Sequence, residues 1–439
     1  MKKQIYIYLL ASMMLSCNGF LDEKPSKTID TPDTLEALDA LLDNSGSLNS
    51  YPVLPLMLGG EYFSDDAGII ALPPWEQNIH LWKSDPFQLD DQIFDWRNAY
   101  NQIQNANVIM ERLDDIEVEQ SSKDKIRGAA LFYRAHAYHN LSVIFLEGPN
   151  LEGAGLKFEI PVRTTTSMVL KAEYTGLEQI KQLIRNDLEE SVRLLPDQVV
   201  YPFRPNKKAA KALKARVHLS WEEYGRAAKE AGELLAEGLE LMDYKEIDPS
   251  KTYPFEEFNK EVIWQCRIGG YLFMYYPNAF QVNPGLLDLY QEDDLRRSLF
   301  FVDRPTGYVN YRGSYEGDIT LFGGLASDEI YLIYAESLVR NGDLDEGAKV
   351  LNELLANRYN EGFNPITFED ETSALRLILE ERRKELVFRG LRWADLRRLN
   401  KDERFKTTLH RSFEGVLYEL APGSEKYVLP VPARELSFK

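Results

Sequence analysis

A mainly α-helical fold, assembled from helix pairs and interrupted by two large irregular regions, is what this 439-residue sequence predicts. Three observations predict it. Through about 91–238 and 327–399, apolar residues recur at three-, four- and seven-residue steps, which places them on one face of a helix. Glycine and proline break every run in about 43–90 and 243–324. Hydrophobic and charged fractions of 44% and 28% are ordinary for a globular chain and argue against general disorder.

The most strongly patterned stretch runs from Ala374 to Leu399. Leu375, Ile378, Leu379, Leu386 and Val387 share one face, and Glu380, Glu381, Arg382, Arg383, Lys384 and Glu385 fill the positions between. Glu380 lies one turn from Lys384, where opposite charges support a helix. Gly390 supplies a C-cap, because glycine takes left-handed backbone without steric cost. A short second helix then carries Trp393, Leu396 and Leu399 inward.

From the N-terminus, residues 1–16 read as an export signal: Lys2 and Lys3 precede the apolar run Ile5 to Leu15, which is too short to span a bilayer. The run ends in Met14-Leu15-Ser16-Cys17, which resembles a bacterial lipobox with Cys17 as the lipidated residue. Cys266 then has no intrachain partner, and its neighbours Val262, Ile263 and Trp264 assign it to the core. No other segment is long and apolar enough to cross a membrane. Residues 17–439 read as one domain that starts with an extended strap over 17–33, followed by a helix from Thr34 to Leu42.

The first irregular region carries Tyr62, Phe63, Asp65, Asp66, Trp75, Asn78, His80 and Trp82. Regular helices begin at about Asp91. Ile93, Trp96, Ala99, Ile103 and Ala106 form one stripe, which assigns Trp96 to the core, and Ser122 to Phe145 forms its antiparallel partner, stopped by Gly148-Pro149. Tyr174 to Leu195, Lys207 to Trp221 and Tyr224 to Gly238 continue the series. Asp328 to Arg340 turns at Asn341-Gly342-Asp343 into Leu344 to Arg358, and the spacing of Ala335, Gly342, Ala348 and Leu351 resembles a tetratricopeptide repeat. Between these sets lies the second irregular region, dense in aromatics. Within it Asp288 to Phe301 reads as a short helix with Asp293, Asp294, Arg296 and Arg297 on a solvated, salt-bridged face.

Several function classes fall away. A formal charge of -19 disfavours nucleic acid as partner. Of the five histidines only His136 and His139 lie one turn apart, and no HExxH-type pattern accompanies them. Asp65-Asp66 and Asp90-Asp91 are adjacent carboxylates, whereas glycoside hydrolysis needs two groups across a cleft; Asp90 or Asp91 fits a helix start. P-loop, Rossmann, GxSxG and EF-hand patterns are absent. The sequence assigns no catalytic residue, no metal ligand and no cofactor, and the reading is a binding protein rather than an enzyme.

The strap with LDEKPS, the helix RGAALFYRAHAYHNL, the pair YAESLVRNGDLDEGAKVLNELLANR and the run ILEERRKELVFRGLRWADLRRL together resemble the SusD/RagB family of Bacteroidetes outer-membrane lipoproteins. Leu429, Pro430, Val431 and Pro432 are similar to that family's closing signature. The chain departs from it in being short, in ending soon after those prolines, and in carrying Glu147-Gly148-Pro149 where Phe-Gly before a proline is commoner. The resemblance implies a lipid-anchored outer-membrane protein at the cell surface that binds oligosaccharide or polysaccharide. It also implies a SusC-like TonB-dependent transporter as partner, packed on the tetratricopeptide face, with ligand on the irregular half. Alternatives are the same lid role for peptide import, or a purely structural partner of the transporter. No binding residue carries over by motif.

Sugar chemistry supplies candidates instead. A pyranose presents a C–H patch that stacks on an aromatic face, while amides, carboxylates and guanidiniums bond its hydroxyls. Trp75, Trp82, Tyr275, Tyr276 and Tyr311 lie off the helical stripes, with Asp66, Asn78, Asn278 and Arg312 as polar companions.

Overall fold

Nine helices of eight residues or more form the scaffold among the described residues, which in this computed structural model are 32–146, 158–167 and 172–436. They are α1 (Phe94–Asp115), α2 (Gln120–Phe145), α3 (Leu177–Leu194), α4 (Lys207–Ser220), α5 (Tyr224–Ala236), α6 (Ser327–Arg340), α7 (Leu344–Leu355), α8 (Glu371–Glu385) and α9 (Arg392–Leu399). Each of α1 to α7 packs on the next, and α8 packs on α6. The export signal, Cys17, most of the strap and Glu147-Gly148-Pro149 lie outside the described residues. No helix among those described is long and apolar enough to cross a membrane.

Small residues set the spacing. Ala209, Ala210, Ala212 and Ala215 of α4 are wholly buried, and a Cβ on Gly128 of α2 would stand 3.1 Å from the backbone nitrogen of Leu195. Such positions let helices approach closely. Side chains satisfy the first turns: Asn206 accepts from the Ala209 amide (2.9 Å), Asp343 from Glu346 (3.2 Å) and Asp370 from Thr372 (2.8 Å). Because α5 packs directly on α6, the chain between them, residues 237–326, is extruded as one large insertion.

Short strands stitch that insertion to the first irregular region. Ser50–Tyr51 runs parallel to Arg267–Ile268, which pairs on its other edge with Leu321–Phe322, and Tyr62–Phe63 pairs with Gln281–Val282. Val262–Trp264 pairs with Leu325–Ala326, and Phe301–Asp303 with Val309–Tyr311. Trp96 and Cys266 are core residues, as their neighbours predict.

Three local readings differ from the structure. Helix α1 starts at Phe94, and Asp91 closes a turn instead by accepting from the Gln88 amide at 2.7 Å. Helix α8 stops at Glu385, with Leu386 as C-cap; Gly390 has φ +72 but lies in the link to α9. Lys384 faces inward to Glu381 (2.6 Å) and Asp294 (3.1 Å) rather than to Glu380. The third concerns the expected solvated face: Arg296 and Asp294 are 0% and 3% exposed. Arg296 is enclosed by Asp294 (2.7 Å), Glu381 (2.7 Å) and Glu385 (2.9 Å), so two of its three carboxylates come from α8. A charged cluster that looks solvated in isolation is here half of a buried network.

Candidate functional site

The strand pair Phe301–Asp303 and Val309–Tyr311 is closed by a turn in which the Arg304 amide donates to Tyr308 (2.7 Å) and Gly307 takes φ +85, a conformation suited to glycine. Asn310 is buried and donates through Nδ2 to the carbonyls of Pro277 (3.1 Å) and Phe280 (2.9 Å), fixing the pair against the segment 271–280. Between these elements, 250–253 and 319–321 lies a cleft of about 570 Å³, within the range of small-molecule pockets.

Ile268, Phe280 and Leu321 give the cleft a buried apolar lining, and Tyr253, Tyr275 and Tyr311 add aromatic rings. Tyr275 is 62% exposed, and its hydroxyl makes no hydrogen bond among the described residues. Its ring rests on Gly270, where a Cβ would lie 3.0 Å from Tyr275 Cζ, so the absence of a side chain at 270 gives the phenol its place. Tyr311 is held more firmly, with its ring 4.9 Å from Phe388, and burial raises its hydroxyl well above the usual phenol range. Arg312 donates to the carbonyls of Lys251 (2.9 Å), Pro249 (2.7 Å) and Ser298 (2.6 Å).

Of the candidates read from sequence, Tyr275, Tyr311 and Arg312 come together in this cleft. Tyr276 is exposed beside them but is not part of the lining. Asn278 donates to Asp65 (3.3 Å), Asp66 accepts from the Glu414 amide (3.2 Å), and Asn78 donates to the Pro86 carbonyl (3.2 Å). These three hold loops.

Trp75 and Trp82 require correction. Pro74 opens a short helix, Pro74–His80, instead of breaking one, and this helix turns Trp75 onto Tyr271, edge to face at 4.7 Å. Trp82 is 2% exposed, donates from Nε1 to the Leu58 carbonyl (3.3 Å), and has the guanidinium of Arg411 over its ring at 4.2 Å. Neither indole offers a face to a sugar. Tyr253, Arg267, Arg304 and Asn310, which do line the cleft, were missed. The alternation Phe301-Val302-Asp303 and Val309-Asn310-Tyr311 around Pro305-Thr306-Gly307 is a hairpin signal that could have found two of them.

Other chemistry-bearing clusters serve the fold. Asp65 accepts from the Gly68 amide (2.7 Å) and from Tyr308 (3.0 Å), a capping arrangement rather than one carboxylate of a catalytic pair. Burial pulls His136 well below the usual imidazole range and His139 down to about 3, with the nearby Arg216 acting in the same direction. Glu261, Asp328 and Glu385 converge within 4.8 Å. Arg358 joins Glu261 (2.8 Å) to Glu385 (2.7 Å), and Arg389 grips Asp328 (2.6 Å), so guanidiniums already balance the charge a cation would meet.

Residues 19–219 match the family described as starch-binding and associating with the outer membrane, and residues 328–437 match the SusD family. A SusD-like protein of Formosa agariphila is 22% identical over 281 residues; the match covers 59% of this chain and spans half the length of that relative. Among solved structures, a putative sugar-binding protein from Bacteroides vulgatus superposes with a TM-score of 0.72 at 21% identity, covering 93% of this chain and 97% of that one. A SusD-like carbohydrate-binding protein from the same species gives 0.70 at 18% identity, covering 92% and 96%. These structures share the helix-pair fold. With both family regions matched on either side of the insertion that builds the cleft, the chain belongs to the SusD/RagB family.

Proposed function

We propose that this chain captures a glycan in the cleft and delivers it, chemically unchanged, to a TonB-dependent transporter of the outer membrane. In this reading Cys17 carries the lipid that tethers the chain at the cell surface, and the helix pairs pack on the transporter. The observation that carries the proposal is the exposed Tyr275 ring over an apolar lining in a cleft of about 570 Å³. An aromatic face open to solvent beside an apolar lining suits the C–H patch of a pyranose. Tyr311 and Arg312 belong to the same site, and Tyr276 extends it at the rim. The reading as a non-catalytic binder is supported by Asp65 and by the buried acids Glu261, Asp328 and Glu385, all engaged in structural bonds.

Calorimetric titration of the purified protein against a panel of polysaccharides and a peptide digest tests this. The expected outcome is saturable binding to a glycan that Tyr275→Ala weakens about tenfold or more, the loss of one stacking contact of about 1.4 kcal/mol. Binding of peptides alone would replace glycan by peptide as cargo. Glycan binding untouched by Tyr275→Ala would remove the cleft from the account. Crosslinking on cells that captures a β-barrel transporter through α4 or α5 is expected, and its absence would count against the delivery step.

A further inference from the structure

The cleft lining contains three arginines, Arg267, Arg304 and Arg312, and no aspartate or glutamate. This is notable in a chain whose formal charge is -19. The three are not equivalent. Arg267 is neutralised at the rim by Glu316 (2.6 Å) and Glu257 (3.0 Å). Arg312 spends its terminal nitrogens on three carbonyls, which satisfy its hydrogen bonds without cancelling its charge, and its Nε is buried without an acceptor. Arg304 is exposed on the turn and donates from Nε to Asn310 (3.1 Å), leaving both terminal nitrogens without a partner among the described residues. No carboxylate stands within ion-pair distance of Arg304 or Arg312 among those residues. Burial lowers the affinity of Arg312 for its proton, and the charge of Arg304 lowers it further, so the two guanidiniums repel each other across the site.

Neutral sugars use hydroxyls that both donate and accept, and they are served by mixed donors and carboxylate acceptors. A lining with two uncompensated guanidiniums and no carboxylate is matched instead to a ligand that brings negative charge.

Building on the glycan-capture reading, we propose that the cleft selects an anionic glycan, one bearing carboxylate or sulfate groups along its chain. Arg304 receives the acidic group on its two free nitrogens, a planar fork suited to two parallel bonds. Arg312, fixed by the backbone, supplies attraction without moving, and Tyr275 stacks on the ring next to the charged substituent. Low-dielectric walls concentrate the field of like charges in a cleft, so the site draws polyanions despite the acidic surface elsewhere.

Two matched pairs of polymers test the inference by calorimetry: polygalacturonate against its methyl-esterified form, and carrageenan against its desulfated form. Each pair shares a backbone and differs in charge. The expected result is that the acidic member of at least one pair binds about tenfold or more tightly than its neutral partner, with a preference that shrinks as salt is raised. The pair showing the preference distinguishes carboxylate from sulfate. Arg304→Gln, on an exposed turn where the side chain's one hydrogen bond is to Asn310, should reduce the preference to about threefold or less. Arg226→Gln, at an exposed arginine of α5, should leave it unchanged.

Equal binding of charged and neutral forms, weakened by Tyr275→Ala but not by Arg304→Gln, would overturn the charge selection and leave glycan capture standing. Silence toward all four polymers and toward neutral glycans would overturn both. An acidic peptide that competes as well as the charged polymer would overturn the assignment to a glycan.

Discussion

The guanidinium of Arg411 lies 4.2 Å over the ring of Trp82 and donates to the carbonyls of Met57 (2.6 Å) and His80. The hairpin Leu409–Phe413 with Val416–Leu420 thereby locks the first irregular region from outside, and the indole is part of the lock. Trp82→Ala is expected to cost about 3–5 kcal/mol of stability, the usual range for removing a buried tryptophan. A shift of the urea midpoint measures it, and the folded fraction should bind ligand with unchanged affinity. Lost affinity at unchanged stability would return Trp82 to the binding site.

Arg358 is wholly buried, bridges Glu261 and Glu385, and donates to the Met242 carbonyl at 2.9 Å. Removing it leaves Glu261 without a cationic partner in the interior and Glu385 with Arg296 alone. Arg358→Ala should destabilise by about 3–5 kcal/mol, and Arg358→Lys should rescue only part of that, because an ammonium lacks the planar fork that spans two carboxylates. Denaturant midpoints for the two variants check the order; full rescue by lysine would contradict it.

Burial raises Asp95 from its ordinary 3.8 to about 6, opposed by hydrogen bonds from Tyr271 and from the Leu54 amide. The folded protein therefore holds this proton more tightly than the unfolded chain does. The resulting stabilisation is full below about pH 4, declines as pH rises through about 6, and is gone above that. The stability difference between wild type and Asp95→Asn should accordingly change by about 2–3 kcal/mol between pH 4 and 7, in the direction that disfavours wild type at the higher pH. Unfolding curves across that range measure it, and a difference independent of pH would show that Asp95 titrates normally.

Gly313 follows the cleft strand pair, and a Cβ there would meet Phe300 Cα at 2.8 Å, a backbone atom that cannot rotate away. Gly313→Ala should cost about 1–3 kcal/mol through overpacking and should also weaken ligand binding, because the displaced segment carries Tyr311 and Arg312. Thermal melting and titration of the same variant test both effects; full stability with full affinity would mean that the strand pair does not position the site.

The helices were legible because their signal is local. The stripes of α1 to α7 repeat within a few residues, and small residues such as Ala335 and Ala348 mark close approach. What stayed hidden depends on residues far along the chain. The burial of Arg296 needs Glu381, 85 positions away, and the closing of Trp82 needs the hairpin whose Arg411 reaches His80, 331 positions away. Composition could show that Trp75 and Trp82 sit among prolines and glycines, but not that Pro74 starts a helix. Tyr275, Tyr311 and Arg312 were legible as members of one aromatic-rich region off the helical stripes, although Tyr311 lies in a strand and not in a loop. The charge of the cleft was not, because Arg304 and Arg312 act as a pair only once the Gly307 turn has folded.

Hydrogen exchange of the purified protein, with and without a saturating glycan identified by calorimetry, tests the central claim most directly. The account predicts that ligand slows exchange in the segments 267–277 and 302–312, which border the cleft, and leaves 74–82 unchanged. Slowing confined to 74–82 or to the helix pairs, with the cleft segments unaffected, would contradict it.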